Sequence, residues 1–199
     1  MKLVADQSAP VEVAALIERA RRGEPAAFRE LFRLHVARVH RVVYRLVGRS
    51  ADVDDLVQTV FIEGFRSLPS FRGESLFSTW LGRIAVRVTM RAVKRPRLSL
   101  VPLEAVVETP RDELGPEDAA SAEQGLRQLD ALLLALRPKK RVSFVLHVLE
   151  GHSIEETAAM VGASVAAVKV RIHDARRELE RRARKDPFFA ELIAARRDS

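Results

Sequence analysis

The feature that most constrains the fold of this chain is the stretch at residues 71–97, where three aromatic side chains precede a run of cations. Four of the arginines recur every fourth residue, so on a helix they would form one stripe beside an apolar edge. The aromatics are Phe71, Phe77 and Trp80, and the stripe is Arg83, Arg87, Arg91 and Arg95. Cations at this spacing repel by a few tenths of a kcal/mol per pair. A polyphosphate partner would offset that repulsion; the alternative is a solvated basic face on an ordinary helical core.

Composition limits the class of protein. The chain has 199 residues, which fits one domain or two small ones, and its net charge of +7 suits a polyanionic partner. The absence of cysteine excludes disulfides, thiolate catalysis and cysteine-based metal sites. We find no signal-peptide core and no apolar run long enough to cross a membrane, so we expect a cytoplasmic protein without membrane insertion. Apolar residues at helical spacing predict an all-α fold of two small helical domains.

The first domain is predicted to span residues 11–97. Helices are expected at 11–22 and 25–47, and a third is expected to begin at about Ala51. Acids in the first turn of that third helix favour the positive end of its dipole, and plain capping is the alternative to a binding surface. Composition then changes sharply: residues 101–120 carry six acids, one base and three prolines. Residues 98–121 are therefore predicted to be an acidic linker.

The second domain is predicted at residues 122–184, followed by a tail at 185–199. Ser153 and Glu156 have the spacing of a capping box before a short helix. A turn at Gly162 follows, and Ser164 is placed to cap a longer basic helix. A short helix, a glycine turn and a basic helix predict a helix-turn-helix, whose second helix would enter the major groove of DNA. The alternative is a packed helical hairpin with a solvated basic face.

The order of these parts resembles the sigma-70 family of bacterial RNA polymerase sigma factors, in its small two-domain extracytoplasmic-function (ECF) form. Residues 55–61 read DLVQTVF, similar to the family pattern D-L-x-Q-x-x-F. Residues 71–85 read FRGESLFSTWLGRIA, similar to F-R-G-x-S-x-F-x-T-W-L-x-R-I-A. A third likeness spans residues 141–176 and includes the predicted helix-turn-helix. The resemblance covers about residues 11–184.

The resemblance implies a role for each part of the chain. A helix at 52–61 would contact the polymerase clamp through Asp52, Asp55, Leu56, Gln58, Thr59 and Phe61. The −10 promoter element would be bound by Phe71, Arg72, Phe77, Trp80, Arg83, Arg87, Arg91 and Arg95. The −35 element would be read by Ser164, Ala166, Ala167, Lys169, Val170, Arg171, His173 and Arg176. The expected partners are core RNA polymerase, promoter DNA and an anti-sigma protein.

The chain also departs from the family pattern. Arg87 and Arg91 stand where Asn and Asp are usual, which adds positive charge near the −10 element. Ala167 and Val170 stand where Thr and Ser are common, and Asp174 stands where Arg is common. These positions lie on the helices expected to meet DNA. The base preferences of the family are therefore not carried over to this chain.

Two other functions compete with this one. A stand-alone helix-turn-helix regulator would bind duplex DNA without polymerase, usually as a dimer, but no dimer seam is evident and the aromatic motif would have no role. An enzyme would need paired acids, a nucleophile beside a base or a glycine-rich phosphate loop. None of these patterns occurs. No catalytic residue, cofactor, metal ligand or small-molecule substrate is therefore expected. His35 and His40 are expected to be ordinary helix residues, and His147 and His152 have too few neighbouring ligands to hold a metal.

Overall fold

The computed structural model describes residues 10–48, 52–94 and 116–186, together with Phe189. All regular structure in those ranges is helical, as the all-α prediction requires. Eight α-helices follow one another along the described chain: α1 (Pro10–Arg21), α2 (Pro25–Val47), α3 (Val53–Ser67), α4 (Phe77–Lys94), α5 (Pro116–Ala135), α6 (Pro138–Phe144), α7 (Ile154–Val161) and α8 (Val165–Ala183).

The N-terminal domain is built from α1 to α4 around one apolar core. Residues at i, i+3 and i+4 on each helix face inward, as amphipathic helices require. The longest of them, α2, has its predicted bounds: Pro25 begins it and Gly48 ends it at a φ of 76°. The innermost side chains include Leu31, Val43, Val60, Leu68, Leu81 and Ala85. This core fixes the exposed faces of α3 and α4 relative to each other.

A short 3₁₀ turn at Leu68–Ser70 separates α3 from the loop before α4. Arg21 of α1 holds this turn, because its guanidinium donates to the backbone carbonyls of Leu68 and Phe71. The loop contains Gly73 at a φ of 75°, a backbone conformation that favours glycine. The predicted aromatic–basic stretch is thus a helix only from Phe77 onwards.

The C-terminal domain contains the predicted helix-turn-helix, α7 and α8. The capping box is confirmed: the Ser153 hydroxyl accepts from the Glu156 amide at 3.0 Å, and the Glu156 carboxylate accepts from the Ser153 amide at 2.8 Å. Gly162 adopts the left-handed conformation at the turn, and the Ser164 hydroxyl caps α8 by accepting from the Ala167 amide. The small Ala158 lies buried at the crossing of the two helices.

Two boundaries differ from the sequence prediction. α5 begins at Pro116, inside the segment predicted to be linker. Proline is favoured at the first position of a helix as well as in a linker, so the residue type alone did not distinguish the two. The helix predicted from Pro138 to Gly151 is not α-helical throughout. α6 ends at Phe144, and a π-helical turn at Val145–Leu149 follows it directly. Residues 95–115 and the predicted tail, apart from residues 185, 186 and 189, lie outside the described residues.

The two domains contact each other directly. Val42, Leu46 and Val86 of the N-terminal domain form one apolar cluster with side chains of the C-terminal domain, Val142, Val145, Leu146 and Met160. The contact extends to α5, where the Tyr44 hydroxyl donates to Asp130 at 2.7 Å. Gly48 lies so close to Leu134 that a Cβ at this position would clash with the leucine side chain. In this structure the two domains are therefore closed upon each other.

Candidate functional site

One exposed face of α3 carries the residues predicted to contact polymerase. Asp55 and Gln58 are both exposed, and Leu56 and Thr59 are half-buried beside them. The Thr59 hydroxyl donates to the Asp55 backbone carbonyl at 2.8 Å, so it is held against its own helix. Asp52 is the residue before the first turn of the helix. The face therefore offers a carboxylate and an amide to a partner.

Phe61 is placed differently from this face. Its ring is 3% exposed and packs within the N-terminal core, 4.6 Å from the ring of Phe32. Ile62, which the sequence analysis missed, is 50% exposed. It lies one helical turn beyond Gln58 and two turns beyond Asp55, so the helical period could have identified it. The exposed α3 face thus has an apolar contact beside its polar groups.

The aromatic residues Phe71, Phe77 and Trp80 form a compact cluster. Their ring centroids are 5.2–5.6 Å apart in all three pairs. Phe71 is 7% exposed and Phe77 is 4% exposed, so both rings belong to the core, while Trp80 is half-buried at its edge. An unpaired base could stack on Phe71 or Phe77 only if this core opened. Trp80 is the ring that a base could reach with least rearrangement.

The predicted arginine stripe lies along the exposed side of α4. Arg83 is exposed and forms no ion pair within the described ranges. Arg87 and Arg91 both form ion pairs with Glu63 of α3, Arg87 at 3.3 Å. Their side chains nevertheless remain more than half exposed. Glu63 is distant in sequence, which explains why the stripe looked free of carboxylates.

Two further residues are predicted to bind the −10 element. Arg72 is exposed in the loop before α4, 3.9 Å from the equally exposed Glu74. Arg95 lies outside the described residues. The loop also exposes Leu76, whose side chain is 63% accessible. The surface around the start of α4 therefore combines cations with an accessible apolar side chain.

The helix α8 presents most of the residues predicted to read the −35 element on its outer side. Its inner stripe is buried against α7 and the rest of the domain and consists of Val168, Ile172 and Ala175. Facing outward are the exposed residues Ala166, Lys169, Val170, His173, Arg176 and Arg177. Ala167 and Arg171 are half-buried at the margin, and Ser164 caps the helix start.

The cations of α8 fall into two groups. Lys169, Arg171 and Arg176, together with Arg177, form no ion pair within the described part of the chain, so they can accept an anionic partner without losing one. Arg182, in contrast, pairs with Glu178 at 3.0 Å. Hydrogen bonds from Arg182 and Lys140 lower the pKa of Glu178. The cations in the N-terminal and middle parts of α8 are thus without an ion pair in the described residues, whereas Arg182 near its C-terminus is paired.

The contact between the domains is centred on Glu150, which follows the π-helical turn. Its side chain is 3% exposed and faces three arginines of α2: Arg45 at 2.6 Å, Arg41 at 3.4 Å and Arg38 at 3.6 Å. His152 lies beside them, and its Nε2 is 3.4 Å from the Arg38 guanidinium. One carboxylate from the second domain thus neutralises part of a cationic face on the first.

No group of three histidine or acidic side chains among the described residues is arranged to hold a metal ion. No helix in the described part of the chain is long and apolar enough to span a bilayer.

Comparisons with known proteins agree with the two-part architecture. Family models of sigma-70 region 2 and sigma-70 region 4 match residues 31–98 and 126–179. The ECF RNA polymerase sigma-E factor of Escherichia coli K12 is 35% identical over 178 residues, which cover 83% of this chain and 91% of that relative. The ECF RNA polymerase sigma factor SigE of Mycolicibacterium smegmatis is 35% identical over 153 residues, 75% of this chain. The match spans 59% of the length of that SigE.

A solved structure shares the fold. CnrH, in complex with the cytosolic domain of CnrY, superposes with a TM-score of 0.65 and 26% sequence identity, covering 86% of this chain and 97% of that one. The two helical domains, the capped helix-turn-helix and these matches lead to one conclusion. This chain belongs to the sigma-70 family of RNA polymerase sigma factors and, within it, to the ECF sigma factors.

Proposed function

We propose that this chain binds core RNA polymerase and directs it to specific promoters, where it melts the −10 region and reads the −35 region. The observation that carries the proposal is the presence in one chain of two different surfaces. One is the exposed carboxylate and amide face of α3. The other is a capped helix-turn-helix in which Lys169, Arg171, Arg176 and Arg177 have no carboxylate partner in the described ranges. The chain itself would supply no catalytic group, because the polymerase performs the chemistry.

The α3 face is proposed to bind the polymerase clamp through Asp55 and Gln58. Both side chains are exposed on a helix that the core holds rigidly. The neighbouring Ile62 would add apolar contact area to the same face, since half of its surface is free. Phe61 would support the face from beneath through its packing on Phe32.

The −10 surface is proposed to divide its work between cations and one ring. Arg72, Arg83 and the outer parts of Arg87 and Arg91 would bind phosphates. Stacking on an unpaired base is worth roughly 1–3 kcal/mol, whereas removing a phenylalanine from a core costs about 1.5–3 kcal/mol. Extraction of Phe71 or Phe77 would therefore gain little. We assign the first base contact to Trp80, with the two phenylalanines as its buried support.

The closed arrangement of the domains would have to open on a promoter. The −10 and −35 elements are separated by about 25 base pairs, or roughly 85 Å at about 3.4 Å per pair. Residues 95–115, if fully extended, would span about 70 Å, and the breadth of the two domains would supply the remainder. Domains that touch at Glu150 lie closer together than the two elements, so we infer that this contact opens when both elements are bound.

We further infer that the protein works in the cytoplasm, where core polymerase and promoters lie, and that an anti-sigma protein restrains it. The structure of CnrH was solved in complex with the cytosolic domain of CnrY, which supports a cytoplasmic protein partner.

The direct test of the proposed function is to mix the purified chain with core polymerase and measure co-purification. Stable association supports the proposal. DNA binding as a dimer with no affinity for polymerase would instead indicate a stand-alone regulator.

A further inference from the structure

We propose that Val170 is a specificity-determining residue that reads the C5-methyl group of a thymine in the −35 element. The inference rests on the proposed function, because it requires α8 to lie in the major groove. It goes further in naming one base and the one contact that selects it.

The geometry of α8 sets Val170 at the centre of the outward face. The buried stripe of the helix is Val168, Ile172 and Ala175. At about 100° per residue, Val170 points roughly 200° away from Val168 and so faces directly opposite that stripe. Ala166, one turn earlier, points within about 40° of Val170. A helix that enters a groove with this face first brings these two side chains closest to the base edges.

Val170 is one of the exposed large apolar residues of the described chain. Its side chain is 60% accessible, although valine is among the residues most often buried in folded proteins. Valine also has a lower helix propensity than alanine, because its branched Cβ restricts its rotamers in a helix. Neither packing nor helix formation therefore accounts for this residue at this position. An apolar partner that is absent from the folded chain would account for it.

The chemistry of the groove identifies that partner. In the major groove the thymine C5-methyl is the one apolar group that distinguishes a base edge, and apolar side chains contact it. Val170 and Ala166 cannot form the bidentate hydrogen bonds by which Arg reads guanine or Asn reads adenine. The small side chain of Ala166 allows the helix to approach closely. A methyl contact is thus the readout that Val170 and Ala166 can make.

The cations on either side of Val170 fit the same placement of α8 in the major groove. Lys169 and Arg176 lie on one flank of Val170, and Arg171 lies on the other, at the margin of the exposed face. None of the three is ion-paired within the described ranges, so each is available to a phosphate. Cations on both flanks of an apolar centre match a groove about 12 Å wide with a phosphate backbone on each wall.

The experiment removes one methyl group from the DNA and both γ-methyl groups of Val170 from the protein. Promoter sequences are first selected from random duplexes by core polymerase carrying the chain. Each thymine of the −35 element is then replaced, one at a time, by deoxyuridine, which lacks only the C5-methyl. We expect one replacement to weaken binding of the wild type about four-fold, the value for burial of one methyl-sized group. The same replacement should have almost no effect on V170A.

The controls separate this inference from the proposed function. Leu126 is also an exposed apolar residue, 52% accessible, but it lies on α5. Leu126→Ala should therefore retain the full sensitivity to deoxyuridine. If Val170→Ala retains it too, or if no thymine is sensitive in the wild type, the methyl readout is wrong while the sigma-factor function stands. If the chain gives polymerase no sequence selection at all, both proposals are wrong.

Discussion

The carboxylate of Glu150 lies 2.6 Å from the guanidinium of Arg45, across the contact between the two domains. Arg38 and Arg41 approach the same carboxylate, so three cations of α2 share one buried anion. Without Glu150 these arginines, which lie three and four residues apart on one helix, would repel one another. The charge pairing therefore adds to the apolar cluster in stabilising the closed arrangement.

Replacing Glu150 by Gln should favour separation of the domains. The amide keeps the size of the side chain but removes the charge, and we expect the closed form to lose about 1–3 kcal/mol relative to the open form. Small-angle scattering should then report a larger radius of gyration than that of the wild type. Glu155 is an exposed carboxylate on α7 and provides the matched control as Glu155→Gln. A scattering curve for Glu150→Gln identical to that of the wild type would contradict this account.

Acid should also weaken the contact between the domains through His152. Burial and then the charge of Arg38 lower the pKa of His152 below its ordinary 6.5, although Glu156 and Glu150 oppose this shift. His147 also faces this group and donates to its backbone carbonyl at 2.8 Å. Because the folded pKa is depressed, the stabilising contribution is present above the unfolded value and is lost as pH falls below it.

The measurement is the thermal midpoint of the wild type and of His152→Gln at about pH 7.5 and about pH 5.5. The wild type should lose more stability between the two values than the variant, because glutamine does not titrate. Equal losses in the two proteins would show that His152 does not carry this pH dependence.

Local features of the fold could be predicted from the sequence because they depend on neighbouring residues. The bounds of α2 follow from Pro25 and Gly48, and the helix-turn-helix follows from the Ser153 box and the turn at Gly162. Helical period also identified Asp55 and Gln58 as an outward pair. Ile62 belonged to the same pattern, but the sequence motif drew attention to Phe61, which packs inward.

Contacts between distant residues could not be predicted in this way. Glu63 neutralises part of the arginine stripe from another helix, and Glu150 reaches α2 from the other domain. Neither pairing leaves a periodic signal in the sequence. The burial of Phe77 was likewise hidden, since an aromatic residue before a cationic run suits both a base-stacking surface and a core.

Removing the polar groups of the α3 face should weaken binding to core polymerase. Asp55→Ala combined with Gln58→Ala is expected to reduce affinity at least about ten-fold, as for groups at the centre of an interface. Ile62→Ala should cause a smaller loss. Circular dichroism should be unchanged, because all three side chains are exposed. Glu12→Ala, an exposed acid on α1, is the matched control, and wild-type affinity in the double variant would exclude this face.

Phosphate contacts made by the arginine stripe should increase the salt dependence of promoter binding. Each lost phosphate contact lowers the slope of log K against log salt by about 0.9. Arg83→Ala should show one such step, and Arg83→Ala with Arg87→Ala should show about two. Glu63→Gln should act in the opposite direction, since it releases Arg87 and Arg91 from their ion pairs. Unchanged slopes in all three variants would mean that phosphates do not reach α4.

Transcription from a defined start site tests the central claim most directly. Core polymerase is incubated with a genomic library of templates, with and without the purified chain, and the 5′ ends of the transcripts are sequenced. We expect the chain to create a set of start sites, each preceded by a shared −10 and −35 sequence, that core polymerase alone does not use. Identical start sites with and without the chain would contradict its assignment as a promoter-directing factor.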